Sequence, residues 1–193
     1  VSNVIIFHGK GDDHEYYDHK YASSSNLHWI PWLQNECLIN DLPAHTPEVF
    51  RVFDAKYEDW KQEFERYPIT SETIVVTHSC SGGFLFRYLS ENKTVRLKKW
   101  IAVAPWLDPL KFMQNTFGFD LFDFERDPNI LDRVDEAIIF HSEDDQESIQ
   151  LSIKEIQETW PDFPIRIFSG YGHFCQEDMG TQEFPELIEE VLR

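Results

Sequence analysis

Three side chains able to carry an acyl group stand in a row in the stretch "IVVTHSCSGGFLF" (residues 74–86): Ser79, Cys80 and Ser81. A serine hydroxyl is a weak nucleophile near neutral pH. It needs a base within hydrogen-bond reach and an acid that orients the base. The chain supplies both further on. "IIFHSEDD" places Glu143, Asp144 and Asp145 at the end of an apolar run, and "IFSGYGHF" places His173 on a glycine-flanked segment after another. Taking Asp145 as the acid, the separations are 66 residues from Ser79 and 28 on to His173, room for the intervening strand–helix units. One acid or one histidine in a loop is ordinarily solvated surface. Nucleophile, acid and base in this order, each after its own strand, describe acyl transfer.

A nucleophile on a sharp strand-to-helix turn needs small residues two positions before and two after, because strand and helix close on each other there. Cys80 would put His78 at one of those positions, a poor fit. Ser79 has Thr77 and Ser81 as flanks, and Ser81 has Ser79 and Gly83. Strand length separates the two serines. The apolar run stops at Val76, so Ser79 follows promptly, whereas Ser81 would need a strand extended through Ser and Cys. Ser79 is the expected nucleophile. The plainer reading of "HSCSGG", a helix N-cap with permissive glycines, is what such a junction usually is when it has no partners.

The elements that must position these residues alternate along the chain. "NVIIF" (3–7), "TIVVT" (73–77), "WIAVA" (100–104), "EAIIF" (136–140) and "IRIF" (165–168) read as buried strands, and "EVFRVF" (48–53) as a weaker one. Helical spacing appears at Ile30, Leu33 and Cys37, with Pro31 in the first turn, and at Tyr57, Trp60 and Phe64. It recurs over 83–90, at Ile149, Ile153, Ile156 and Trp160, and from Phe184 to Leu192. Strands joined by crossover helices imply a mostly parallel, three-layer α/β sheet. Ligands bind such sheets at the carboxyl ends of the strands, which is where "HGKG", "HSCS", "SEDD" and "GYGH" fall.

Composition limits the partners. With 35 acidic and 17 basic residues the net charge is −18, which repels nucleic acid and anionic membrane surfaces. The longest apolar runs are far too short to cross a bilayer. No repeat or Gly/Ser/Pro-rich linker divides the chain, so residues 1–193 are expected to form a single domain. The first strand begins without a leader pattern, and Cys37, Cys80 and Cys175 make neither a CxxC nor a disulfide framework. A cytoplasmic setting is the expectation.

The ordered set "VIIFHG", "SSSNLHWIPWL", "YEDW", "TIVVTHSCSGGFLFRYL", "SEDDQ" and "GHF" resembles the small serine hydrolases of the α/β-hydrolase superfamily, in particular the YdeN-like and retinoblastoma-binding-protein-9-like group. The likeness runs over nearly the whole chain. It implies a reduced, six-stranded α/β-hydrolase fold with helices on both faces and no large cap domain. It also implies Ser79 as nucleophile, Asp145 (the acid before Gln146) as triad acid, and His173 as base. Spacing alone leaves Asp144 and Asp145 open, and the resemblance selects Asp145. Two departures stand out: Thr77 and Ser81 replace the usual elbow glycines, and the loop after "HG" is longer.

The implied chemistry is hydrolysis of a small ester or thioester through an acyl-enzyme. The oxyanion would rest on the backbone N–H of Cys80 and one from the "HGKG" turn, Lys10 or Gly9. Neither cofactor nor metal is expected, since the cluster Asp12, Asp13, His14, Glu15, Asp18 and His19 has no ligand spacing and reads as a solvated loop. "HGKG" lacks the rest of a phosphate loop. His78 is expected to be structural, while His28 either supports the active-site loop or simply packs. About thirty residues between Ala104 and Glu136 are too few for a cap beside a crossover helix. Their aromatics, Trp106 and Phe112 among them, either line an acyl pocket or pack the crossover. The partner expected is a small uncharged or cationic acyl substrate; no protein partner is legible. The altered elbow also allows a second reading, a binding or scaffold protein that keeps the fold with little catalysis.

Overall fold

The computed structural model describes residues 2–117 and 119–193. Its strands are β1 (Asn3–Phe7), β2 (Ala44–His45), β3 (Thr73–His78), β4 (Leu97–Val103), β5 (Val134–Ser142) and β6 (Ile165–Phe168). They form one sheet in the order β2-β1-β3-β4-β5-β6. Every pairing is parallel, so the expected mostly parallel sheet is wholly so. The helices are α1 (Asp13–Tyr17), α2 (Ile30–Ile39), α3 (Tyr57–Phe64), α4 (Cys80–Glu91), α5 (Phe112–Phe117), α6 (Glu147–Thr159), α7 (Gln176–Met179) and α8 (Pro185–Leu192). Among the described residues no large cap is present. Among the described residues no helix is long and apolar enough to cross a membrane.

Strand β1 lies between β2 and β3, so strand order reverses there and opens a crevice at the carboxyl ends of β1 and β3. Buried aromatics hold the layers around it. Phe7 of β1 meets Trp60, Phe64 and Phe84 at ring separations of 5.2, 5.9 and 5.4 Å. Further along the same layer, Phe86 of α4 stacks on Trp160 at 4.4 Å and meets Trp100 of β4 edge-on at 4.7 Å. Elsewhere Trp29, at the head of α2, and Phe184, at the head of α8, meet at 6.1 Å. Buried Lys99 of β4 is tolerated because its ammonium is satisfied. It donates to the Glu190 carbonyl at 2.9 Å and pairs with Glu136 at 3.1 Å.

Two expectations fail. Residues 48–53 are turns and not a strand, and the sheet edge is formed instead by the two residues of β2. Val49 and Val52 are buried, but three apart, as a turn places them, and Arg51 has a φ of 50°. The crossover from β4 to β5 also carries only the six-residue α5 and a 3-10 turn at Ile130–Arg133. The Asp108 carboxylate starts α5 by accepting from the N–H groups of Phe112, Met113 and Gln114 at 3.0, 2.9 and 3.1 Å.

Candidate active site

The turn from β3 to α4 holds Ser79 at φ 57°, ψ −121°, a strained conformation for a residue with a Cβ. Backbone hydrogen bonds fix it. The Ser79 N–H donates to the Val103 carbonyl at 3.0 Å, and its own carbonyl accepts from Gly82 at 3.0 Å and Trp106 at 3.1 Å. Both replacements of the usual glycines find partners for their hydroxyls. Thr77 Oγ1 accepts from the Trp100 indole at 3.1 Å. Ser81 Oγ accepts from the His78 N–H at 2.9 Å and reaches the carbonyls of Phe7 and His78 at 2.8 and 2.9 Å. Ser81 is fully buried. So is Cys80, whose thiol burial pushes up to about 12.

Asp145, at the end of β5, has a side chain with no exposed surface, and His173 Nδ1 lies 3.0 Å from its Oδ1 and 3.1 Å from its Oδ2. The Gln146 N–H donates to Oδ1 at 2.6 Å. The ring nitrogen facing the carboxylate carries the proton, which leaves Nε2 with its lone pair. His173 and Ser79 line one cleft of about 80 Å³, together with Gly9, Lys10, His28 and His78. The Ser79 hydroxyl has no hydrogen-bond partner among the described residues.

The loop that carries His173 is tied by Ser142, Asp144, Asp178, His78 and His28, most of them invisible in the sequence. Asp144 accepts from the N–H groups of Gly170 at 2.9 Å and Gly172 at 3.3 Å, and Ser142 Oγ donates to it at 2.5 Å. The Ser142 hydrogen bond in particular holds the Asp144 carboxyl below the usual carboxylate range. Asp178 accepts from the His173 N–H at 2.8 Å. His78 Nε2 donates to the His173 carbonyl at 2.8 Å, the two rings lying 5.1 Å apart. His28 Nδ1 accepts from the Gln176 N–H at 3.2 Å, so of its two expected roles the structure shows loop support. His78, expected to be structural, is so in a specific sense: it holds the backbone of His173, across the cleft from Ser79. Burial, with His173 and His28 nearby, holds its pKa well below that of a free imidazole, so it stays neutral.

After β1, buried His8 accepts from the Val49 N–H through Nε2 at 3.0 Å, so its proton sits on Nδ1, which donates to the Gly9 carbonyl at 2.6 Å. A trans peptide points its N–H opposite to its C=O. Fixing the Gly9 carbonyl therefore turns the Lys10 N–H the other way, and that N–H lies by the side chain of Cys80. Gly9 itself approaches Ser79 closely: a Cβ there would stand 3.2 Å from that of Ser79.

Other expected residues fall elsewhere. Trp106 packs on Phe122 at 5.2 Å, and Phe112 is 59% exposed; neither lines the cleft. Half of the acidic loop is ordered as α1, capped by Asp12, whose Oδ1 accepts from the Glu15 N–H at 2.9 Å. Tyr16 and Tyr17 of α1 rest on Phe53 at 5.2 and 5.7 Å.

A parallel sheet whose switch-point crevice holds a strained serine at a strand–helix turn, beside a histidine paired to a buried aspartate, is an α/β-hydrolase architecture. The comparisons agree. Residues 18–193 match the family model described as serine hydrolase, and the chain belongs to that family. The ydeN gene product from B. subtilis is similar in structure, with a TM-score of 0.79 and 22% identity, over 100% of this chain and 97% of that one. Est1E from Butyrivibrio proteoclasticus has a TM-score of 0.67 at 11% identity, over 99% of this chain and 86% of that one. A methylesterase from Arabidopsis has a TM-score of 0.62 at 11% identity, over 100% and 98%. At these identities the likeness is one of fold. No curated protein matches the chain.

Proposed function

We propose that the protein hydrolyses small carboxylic esters or thioesters through an acyl-enzyme on Ser79. The observation that carries the reading is the strained Ser79 sharing one cleft with His173, whose Nδ1 is 3.0 Å from the buried Asp145 carboxylate. Ser79 Oγ attacks the acyl carbon, and His173 Nε2 takes the hydroxyl proton and returns it to the leaving group. Water then repeats the sequence in reverse roles, releasing the acid and restoring the hydroxyl. Asp145 keeps the imidazole in the required tautomer and stabilises it when charged.

The developing oxyanion rests on the N–H group of Cys80, at the head of α4, and on one from the turn after β1, Lys10 or Gly9. A cleft of about 80 Å³ suits a short acyl group, and the net charge of −18 favours uncharged or cationic substrates. The three free thiols fit a reducing, cytoplasmic setting.

A fluorophosphonate probe tests the reading. Labelling is expected in the native protein and in Ser81→Ala, and none in Ser79→Ala. A folded native protein that takes up no label, and hydrolyses no short-chain ester, would be the scaffold of the second reading.

A further inference from the structure

At the rim of the Ser79 cleft, side chains from two separate segments converge that have no part in the acyl chemistry. His28, at the approach to α2, meets Cys175 and Glu177, at the head of α7, with one ligand-type atom from each lying within 4.8 Å of the others. His28 Nδ1 is already 3.7 Å from Glu177 Oε2. His28 and Cys175 line the same cleft as Ser79 and His173. Zinc bonds of about 2.0–2.3 Å set ligand atoms roughly 3.3–3.8 Å apart in a tetrahedron, so the group is open by about 1 Å. The groups that must move are free to do so. The Glu177 side chain is 78% exposed, and the Cys175 thiol has only a 3.9 Å contact with the His173 carbonyl.

We propose that His28, Cys175 and Glu177 bind a zinc-type divalent ion, and that the bound ion shuts the hydrolase. The second half rests on the reading of Ser79 given above. Imidazole nitrogen, thiol sulfur and carboxylate oxygen together suit a borderline ion, and the sulfur discriminates against magnesium and calcium. The surroundings favour a dication. Carboxylates stand close by: Glu177 Oε2 is 3.7 Å from His28 Nδ1, and Asp178 accepts from the neighbouring His173 N–H. A metal compensates the cost of the thiolate among carboxylates.

On capture the Cys175 S–H bond breaks, its proton passes to solvent and a metal–sulfur bond forms, with no change of oxidation state. The His28 Nδ1 lone pair leaves the Gln176 N–H, to which it is bonded at 3.2 Å, for the metal. Water completes the tetrahedron. Two effects then act together on hydrolysis: the ion occupies the mouth of the cleft, and the loop that carries His173 loses one of its ties.

Zinc and cobalt(II) titrations of Ser79→Ala protein test the site without reference to hydrolysis. One equivalent is expected to bind, releasing a proton, with a thiolate-to-cobalt charge-transfer band. Cys175→Ser is expected to abolish the band, and both it and Glu177→Gln to weaken zinc binding tenfold or more. In the active protein, zinc is expected to inhibit ester hydrolysis and magnesium to leave it unchanged, with the zinc midpoint moving by the same factor in Glu177→Gln. Zinc binding unchanged by both substitutions would overturn the site, and inhibition unchanged by them would place the inhibitory ion on His173 itself. Zinc bound through Cys175 without loss of hydrolysis would overturn the shutting. A protein that binds zinc in this way but hydrolyses nothing would keep the site and remove the hydrolase reading.

Discussion

The two halves of the cleft are held by different forces. Ser79 is placed by backbone and volume: a positive φ, three main-chain hydrogen bonds, and glycines pressed against Pro105, Phe122 and Trp106. His173 is placed by polar ties to a loop: Asp144, Asp178, His78 and His28, two of these from segments distant in sequence. A side chain held by packing resists adjustment, because a close-packed interior answers any change of volume with strain. One held by hydrogen bonds is adjustable, because each tie is worth on the order of 1 kcal/mol net and is replaceable by water. The elbow is thus expected to fail through stability and the base loop through rate.

The largest effect isolates the chemistry itself. Ser79→Ala is expected to lower turnover of a short-chain ester about 10⁴-fold or more, with no loss of melting temperature, since the strain at φ 57° remains borne by the same contacts. A residual rate near that of the native protein would move the nucleophile elsewhere. Next comes the elbow. A Cβ at Gly83 would stand 2.2 Å from Phe122 Cε1 and 2.4 Å from the Trp106 carbonyl. Gly83→Ala is expected to destabilise the protein by about 1–3 kcal/mol or more, read as a lower urea midpoint.

The base loop should respond in the opposite way. Asp144→Ala releases the N–H groups of Gly170 and Gly172 together with the Ser142 hydroxyl. It is expected to lower kcat about 10–100-fold by displacing His173, while moving the urea midpoint far less than Gly83→Ala. Equal losses of stability in the two variants would dissolve the contrast.

The smallest effect is in pH. Burial is the first cause that holds both His8 and His78 below the usual imidazole value. On acidification through about pH 6.5 the unfolded chain takes up protons on these rings that the folded protein does not. Stability is therefore present above that pH and falls below it, until the folded rings themselves protonate. Urea midpoints between pH 5 and 7.5 should show this slope, and His78→Asn should flatten it. A native midpoint constant over that range would mean that neither ring is neutral and buried in solution.

This division also explains what could be read from the chain. The elbow was legible because packing leaves a mark on sequence: an apolar run that stops at Val76, then small residues around Ser79. Short apolar runs located all five of the longer strands for the same reason. The base loop was legible only in part. His173 follows an apolar run, but the division of labour between Asp144 and Asp145 depends on which way each carboxylate turns, and no spacing records that. His78 and Asp178 bind backbone atoms, and a backbone partner leaves no trace in residue type. The strand expected over 48–53 failed because Val49 and Val52 are apolar for a turn that docks on His8, not for a sheet.

The position of β1 in the sheet bears on how the chain reaches this structure. "NVIIF" is an inner strand, flanked on one side by the two residues of β2 and on the other by β3, which ends at His78. During synthesis its apolar side chains and unpaired backbone groups wait until some seventy further residues have been added before the longer partner exists. Parallel pairing at such sequence separation is slow to form and leaves the segment open to self-association in the interval. The nascent chain therefore passes through a stage in which a strand that ends wholly buried still lacks its longer partner.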